Sequence, residues 1–193
     1  MKPRAYALLT ALAIVPASLA GQATATATAA AAPAPAPSTS PVADGLRGME
    51  QRFSGILIAA AQAMPADKYN YRPTAAQMSF AQIQVHLANE GNDVLCGKAA
   101  GIDIPKRAAV DTTATKEQLV ARLKETFQFC EQAFAKMDDS KLADPVSMFG
   151  MNMNRAMAVL ITVADWSDHY SQEANYLRLN NVLPPTAQRR AGM

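Results

Sequence analysis

The stretch ADWSDHYSQEANYLRLNNVLPPTAQRR, residues 164–190, decides how this chain is read. Ala158, Ile161, Asp165, His169, Gln172 and Tyr176 recur along one stripe at helical spacing, and Val159, Leu160 and Val163 supply apolar packing beside it. Asn180-Asn181 suits a left-handed helix cap, and Pro184-Pro185 prevents continuation. The spacing predicts one long helix over 151–180. Asp165 and His169, four apart, share a face of it, carboxylate beside imidazole. His169 is one of only two histidines in the chain. The same pair is also the pattern of an ordinary solvated contact, so its meaning depends on what faces it.

Three further helices precede it. Leu46, Met49, Phe53, Ile56, Leu57, Ala60 and Met64 predict a helix over 43–64, stopped by Pro65. A second begins at Ser79, where Ser79 and Gln82 fit a capping box. Phe80, Ile83, Leu87 and Val94 mark its buried stripe, His86 and Glu90 flank that stripe, and Gly97 and Gly101 end it. After a loop of roughly fifteen residues, long by the usual standard, Thr115 and Gln118 form another capping box. Leu119, Leu123, Phe127, Cys130, Phe134 and Met137 then line one face of a third helix, which Asp144-Pro145 follows. No segment alternates convincingly as a strand. The expected class is all-α, a four-helix bundle.

The N-terminus reads differently. Lys2 and Arg4 precede a short apolar run, and Ser18-Leu19-Ala20 offers small residues for signal cleavage, so residues 1–20 read as a signal peptide. The run is too short to span a bilayer comfortably, and no membrane span is expected after cleavage. Residues 21–42 are Ala/Thr/Pro low complexity with nothing to bury, a disordered tether. The folded domain is expected over 43–187, with 188–193 as a tail. Net charge is +2, and Lys2 and Arg4 account for it, so bulk charge speaks against a nucleic-acid partner. The expected location is periplasmic or secreted.

The chain has two cysteines, Cys96 and Cys130. In an exported protein an even pair invites a disulfide; two buried free thiols are the alternative. Each lies roughly 22–26 Å from the start of its helix at 1.5 Å per residue. They are level only if the second and third helices run parallel, which requires the long loop to return the full bundle length. A disulfide, a long crossover and an up-down-down-up order therefore support one another.

Antiparallel to the fourth helix, the second would bring His86 to the height of Asp165 and His169. Three ligands from two facing helices is how bundles build metal sites. Two imidazoles and a carboxylate suit Zn, Ni, Mn or Fe without choosing among them. Glu90, one turn beyond His86, is a candidate fourth ligand or outer hydrogen-bond acceptor. Equally, His86 alone reads as a hydrogen-bonded core residue. No phosphate loop, G-x-S-x-G elbow or H-E-x-x-H is present. Met148, Met151, Met153 and Met157 offer soft ligands, but adaptable core packing is the commoner use of methionine.

Three segments together resemble the DinB/YfiT-like family: MPADKYNYRPTAAQMSFAQIQVHLANEGNDVLCG, FQFCEQAF and DHYSQEANYLRLNNVLPP. The last is similar to the family pattern H-x-x-x-H-Y-G-x-x-x-x-Y-L-R-x-x-G-x-x-P-P, matched at His169, Tyr170, Tyr176, Leu177, Arg178, Pro184 and Pro185. The resemblance implies a four-helix bundle with a divalent metal held by three histidines, often Ni or Zn, and frequent homodimers. It places His86 at the first ligand and pairs the third-helix cysteine with one late in the second helix. Some members are thiol-dependent transferases, an activity that an oxidising compartment makes a poor transfer to this chain. The pattern's first histidine is Asp165 here, and its glycines are Ser171 and Asn181. An aspartate still ligates, but it lowers the site's softness.

The expected function is thus an exported, divalent-metal-dependent enzyme of hydrolase or transferase type acting on a small molecule. Its metal ligands would be His86, Asp165 and His169, with Tyr170 or Glu90 assisting. The rival is a metal-free, disulfide-stapled bundle that binds a small ligand or a partner.

Overall fold

The computed structural model describes residues 37–191. The expected signal peptide and most of the expected tether lie outside them. Helix α1 spans Pro41–Ala63, α2 Phe80–His86, α3 Asn92–Ala100, α4 Lys116–Ala135, α5 Arg155–Leu179 and α6 Pro185–Ala191. Strands β1, Pro145–Met148, and β2, Met151–Asn154, pair antiparallel between α4 and α5.

Local chemistry sets the helix ends. Ser79 and Thr115 both make the full reciprocal capping box, with Gln82 and Gln118. The start of α1 has Pro41 in the first turn but no side-chain cap of its own. Instead the Asp139 carboxylate, beyond the end of α4, accepts from Val42 N and Ala43 N at 3.0 and 2.9 Å. Arg47 reciprocates by donating to the carbonyls of Phe134 and Met137. At the opposite end Lys116 donates to the carbonyls of Gln62 and Met64. These two end locks run α1 and α4 antiparallel.

Other pairs give the remaining directions. Asn92 meets Thr126, and Cys96 is bonded to Cys130 with Cα atoms 5.1 Å apart, so α3 and α4 run parallel. Gln84 meets Glu173, Asn92 meets Trp166 and Ala100 meets Arg155, so the second helix and α5 run antiparallel. The order is up-down-down-up, and residues 101–115 climb the full bundle as the crossover. That segment is laced to residues 89–93 of the second helix and to α4. Arg107 binds Asp93 at 2.9 Å and Asn89 exchanges two hydrogen bonds with Val110, while Arg122 donates to the Ala108 carbonyl. Trp166 occupies the centre of the core, fully buried, with Phe53, Phe127 and Phe134 rings 5.8–6.1 Å away.

The structure corrects the sequence reading at three places. The fourth helix begins at Arg155, not 151, because residues 145–154 form a hairpin. Its turn places Phe149 and Gly150 at φ 52° and 74°, the left-handed pair a two-residue hairpin turn requires. Methionine is a good helix former, which hid the alternation of Val146, Met148, Met151 and Met153 on one face. Met148 is buried there, but Met151 and Met157 are half exposed, so core packing explains only some of this methionine run. The second helix is not continuous: residues Leu87–Gly91 form a single π turn. Gly97 does not end it but lies buried inside α3, where a Cβ would approach Ile104 to 2.7 Å; the left-handed cap is Gly101, φ 68°. Finally, Pro184-Pro185 does stop α5, but Pro185 then opens α6 as its first residue.

Candidate metal centre

The π turn is where the site is built. The capping box at Ser79 starts α2 so that His86 is its last residue, immediately before the turn. One extra residue in a helical turn changes the phase of the residues beyond it, and π turns recur at functional sites for that reason. Here it lets His86 face α5 while Asn92, just beyond, turns its amide into the core. Trp166 Nε1 donates to Asn92 Oδ1 at 2.6 Å. The Trp166 ring, wedged among three aromatics, fixes the rotation of α5. Its neighbour Asp165 is thereby held on the side that faces α2.

His86, Asp165 and His169 each offer one ligand atom, all within 4.8 Å of one another. Asp165 Oδ1 lies 3.4 Å from His169 Nε2 and 3.7 Å from His86 Nε2. The imidazole centroids are 4.7 Å apart. Ligands about 2.1 Å from a tetrahedral ion stand about 3.4 Å apart, so the set is already near a coordinating spacing. The donor chemistry fits a divalent ion. Burial raises the Asp165 pKa most, but the hydrogen bonds and charges of His169 and His86 together outweigh it and hold the carboxyl down at about 2. An ionised carboxylate is therefore present between two imidazoles at neutral pH. Asp165 Oδ2 and His169 Nδ1 are both buried with no protein hydrogen-bond partner. An unpartnered oxygen on a buried carboxylate is costly, and an adjacent cation offsets that cost. Gly91 closes the back of the site: a Cβ there would stand 3.2 Å from the His86 carbonyl and 3.8 Å from Asp165 Oδ2.

The other expected site residues divide. The Tyr170 hydroxyl donates to Thr186 Oγ1 at 2.8 Å and accepts from Thr186 N at 3.1 Å, which ties α6 onto α5. Glu90 is on the π turn, and its side chain lies outside the described residues. Cys96 and Cys130 form the disulfide.

Sequence reasoning missed a buried acid one turn beyond His169. Glu173 continues the Asp165–His169 stripe at the same four-residue step. It is fully buried, and Gln84 Nε2 donates to its Oε1. Desolvation pushes its carboxyl up to about 8, with the Gln84 hydrogen bond opposing. Glu173 Oε2 and Gln84 Oε1 are both without partners. A proton on Glu173 supplies the donor that this pair of oxygens lacks, making a two-bond acid–amide clasp between α5 and α2.

An all-α bundle with a two-histidine, one-carboxylate cluster between its second helix and α5 defines a class: helical bundles able to hold a metal in their core. Within that class the chain belongs to the DinB superfamily, whose profile matches residues 52–173. Two solved structures share the fold. A DinB-like protein from Bacillus cereus aligns with TM-score 0.62 at 10% identity, covering 74% of this chain and 95% of its own. A DinB-like protein from Bacillus subtilis aligns with TM-score 0.58 at 12% identity, covering 71% and 92%. No curated protein matches the chain.

Proposed function

We propose that the His86–Asp165–His169 cluster binds one divalent metal ion, and that the protein is an exported metal-dependent enzyme of hydrolase or transferase type acting on a small molecule. The observation that carries this reading is the ligand spacing: three donor atoms within 4.8 Å, an ionised aspartate at their centre and a buried carboxylate oxygen without a partner. A bound divalent ion would act as a Lewis acid, polarising a substrate oxygen or lowering the pKa of water. The chain's own part is to hold that ion with three ligands, leave further positions open, and limit access. His169 is buried, whereas His86 also lines a cavity of about 350 Å³.

With neutral imidazoles, one aspartate and a divalent ion, the centre carries net charge of about +1. Three histidines would leave it at +2. The aspartate thus favours harder ions than a three-imidazole set, and Mn or Fe gain on Zn and Ni. Export is supported by the Cys96–Cys130 disulfide, since such bonds persist in oxidising compartments, and by the signal-like residues 1–20. Among the described residues no helix is long and apolar enough to cross a membrane.

The rival reading is a metal-free bundle in which Asp165 serves only to pair with the two imidazoles. Its support is that both contacts exist without an ion. Metal analysis of protein purified without a histidine tag separates the two. Near-stoichiometric metal, lost in His86→Ala and in His169→Ala, is expected. Folded protein that takes up no Mn, Zn or Ni on incubation sinks the metal reading.

A further inference from the structure

The cavity at His86 has a wall that belongs to no helix. Gln82, Val85, His86 and Asn89 form one side, and Asp111 and Thr112 of the crossover form the other. The crossover is held in place there. Asn89 Nδ2 donates to the Val110 carbonyl, and Asn89 Oδ1 accepts from Val110 N at 3.0 Å. The next residue, Asp111, turns the chain: its Oδ1 accepts from Thr113 N at 2.7 Å and from the Thr113 hydroxyl, and its carbonyl accepts from Ala114 N at 3.1 Å. Capping of α4 at Thr115 comes directly after. The loop is long, but this corner of it is built rather than slack.

The polar groups facing the cavity are unequal. Asn89 has both ends of its amide engaged by Val110, and Gln82 Oε1 accepts from Ser79 N. Asp111 uses Oδ1 for the turn, and Oδ2 takes part in no described hydrogen bond. No lysine or arginine lines the space. The hydrogen bonds from Thr113 hold the Asp111 carboxyl below the usual carboxylate range, so its charge is present at neutral pH. The volume falls within the range of small-ligand sites. A small molecule entering it meets His86, one of the three cluster residues, and a single fixed negative charge on Asp111 of the crossover.

We infer that this cavity is the substrate pocket of the centre and that it selects small molecules carrying an ammonium group, with Asp111 as the residue that reads it. The inference rests on the metal-centre reading. Together the centre, at about +1, and Asp111, at −1, make a bipolar pocket. Its complement is a zwitterion or an aminated ligand, with an oxygen donor at one end and a cation at the other. Asp111 is exposed, so its pull is screened and amounts to preference rather than absolute selection.

Three hydroxamates of similar size test this: β-alanine hydroxamate bears an ammonium group, propionohydroxamate is neutral, and succinate monohydroxamate bears a carboxylate. Each is titrated into the full chain loaded with Co(II) and followed by the visible spectrum of the ion. The ammonium probe is expected to bind about three-fold tighter than the neutral one, and the carboxylate probe more weakly than either. In Asp111→Asn, which keeps the Oδ1 acceptor for Thr113, the three affinities should converge, and 0.5 M salt should have the same effect in the wild type. If all three bind with equal affinity, the ammonium preference is wrong while the metal centre stands. If Co(II) does not bind, or its spectrum is identical in His169→Ala, the metal reading has failed and this inference with it.

Discussion

Glu173→Gln is expected to stabilise the protein, and to do so increasingly as pH rises. The buried carboxyl holds its proton up to about pH 8 in the folded state, against 4.5 as the ordinary value. Below pH 4.5 both folded and unfolded chains carry the proton, and Glu173 contributes no pH dependence. Between 4.5 and about 8 the unfolded chain releases it and the folded chain does not, so stability falls as pH rises, by about 1.4 kcal/mol per pH unit. By pH 7 the accumulated loss is about 3 kcal/mol; above about 8 both states are ionised and the slope vanishes. Glutamine is nearly isosteric, needs no proton, and offers an N–H to the partnerless Gln84 Oε1. The assay is urea unfolding at several pH values from 5 to 8, with the disulfide intact. Fluorescence of Trp166 reports it, because it is the only tryptophan and is fully buried. The quantity of interest is the difference between variant and wild type, in which contributions common to both cancel. That difference should grow from about 1 kcal/mol at pH 5 toward about 3 kcal/mol at pH 7. A difference that does not change with pH, or a variant less stable than wild type throughout, would refute the neutral acid–amide clasp.

Asp165→His should raise Zn and Ni affinity at least ten-fold relative to Mn, measured by competition with a chromogenic chelator, because it exchanges a hard donor for an imidazole. Replacing both Cys96 and Cys130 by serine should cost about 4 kcal/mol in denaturant unfolding, the loop-closure entropy of a cross-link spanning 34 residues; an unchanged midpoint would show that the reduced chain is already constrained. Trp166→Phe removes the partner of Asn92 Oδ1 in the core, so a loss of about 2–4 kcal/mol is expected, with metal affinity falling as Asp165 loses its anchor. Asp139→Ala frees two first-turn N–H groups of α1 and should lower stability by about 1–2 kcal/mol, read from thermal unfolding.

Much of this architecture is legible in one dimension because its signals are local. Both capping boxes lie where Ser79–Gln82 and Thr115–Gln118 announce them, and the left-handed Gly101 and Asn181 follow their helices. The disulfide and the long crossover are readable together, since helical rise alone says which topology makes the cysteines level. His86, Asp165 and His169 emerge from spacing and from likeness to a family pattern. The features that escape a sequence reading depend on partners distant along the chain. A carboxylate 97 residues away caps α1. The hairpin at 145–154 is written in methionines, whose helix preference only packing against α3 and α5 overrides. Glu173 looks like any helix-surface glutamate until α2 covers it.

By itself the sequence determined the helices, their stops, the parallel pair demanded by two level cysteines, and the identity of three potential ligands. The helices and their stops come from 3.6-residue periodicity and capping chemistry, which need no knowledge of neighbours, and the ligands from residue spacing together with likeness to a family pattern. Only the tertiary structure decided that a π turn swings His86 toward α5, that Trp166 aims Asp165 between two imidazoles, and that Tyr170 is engaged by α6. The same holds for the crossover's placement of Asp111 across from His86. Each of those outcomes is a matter of helix phase and burial, which sequence spacing leaves free and packing does not.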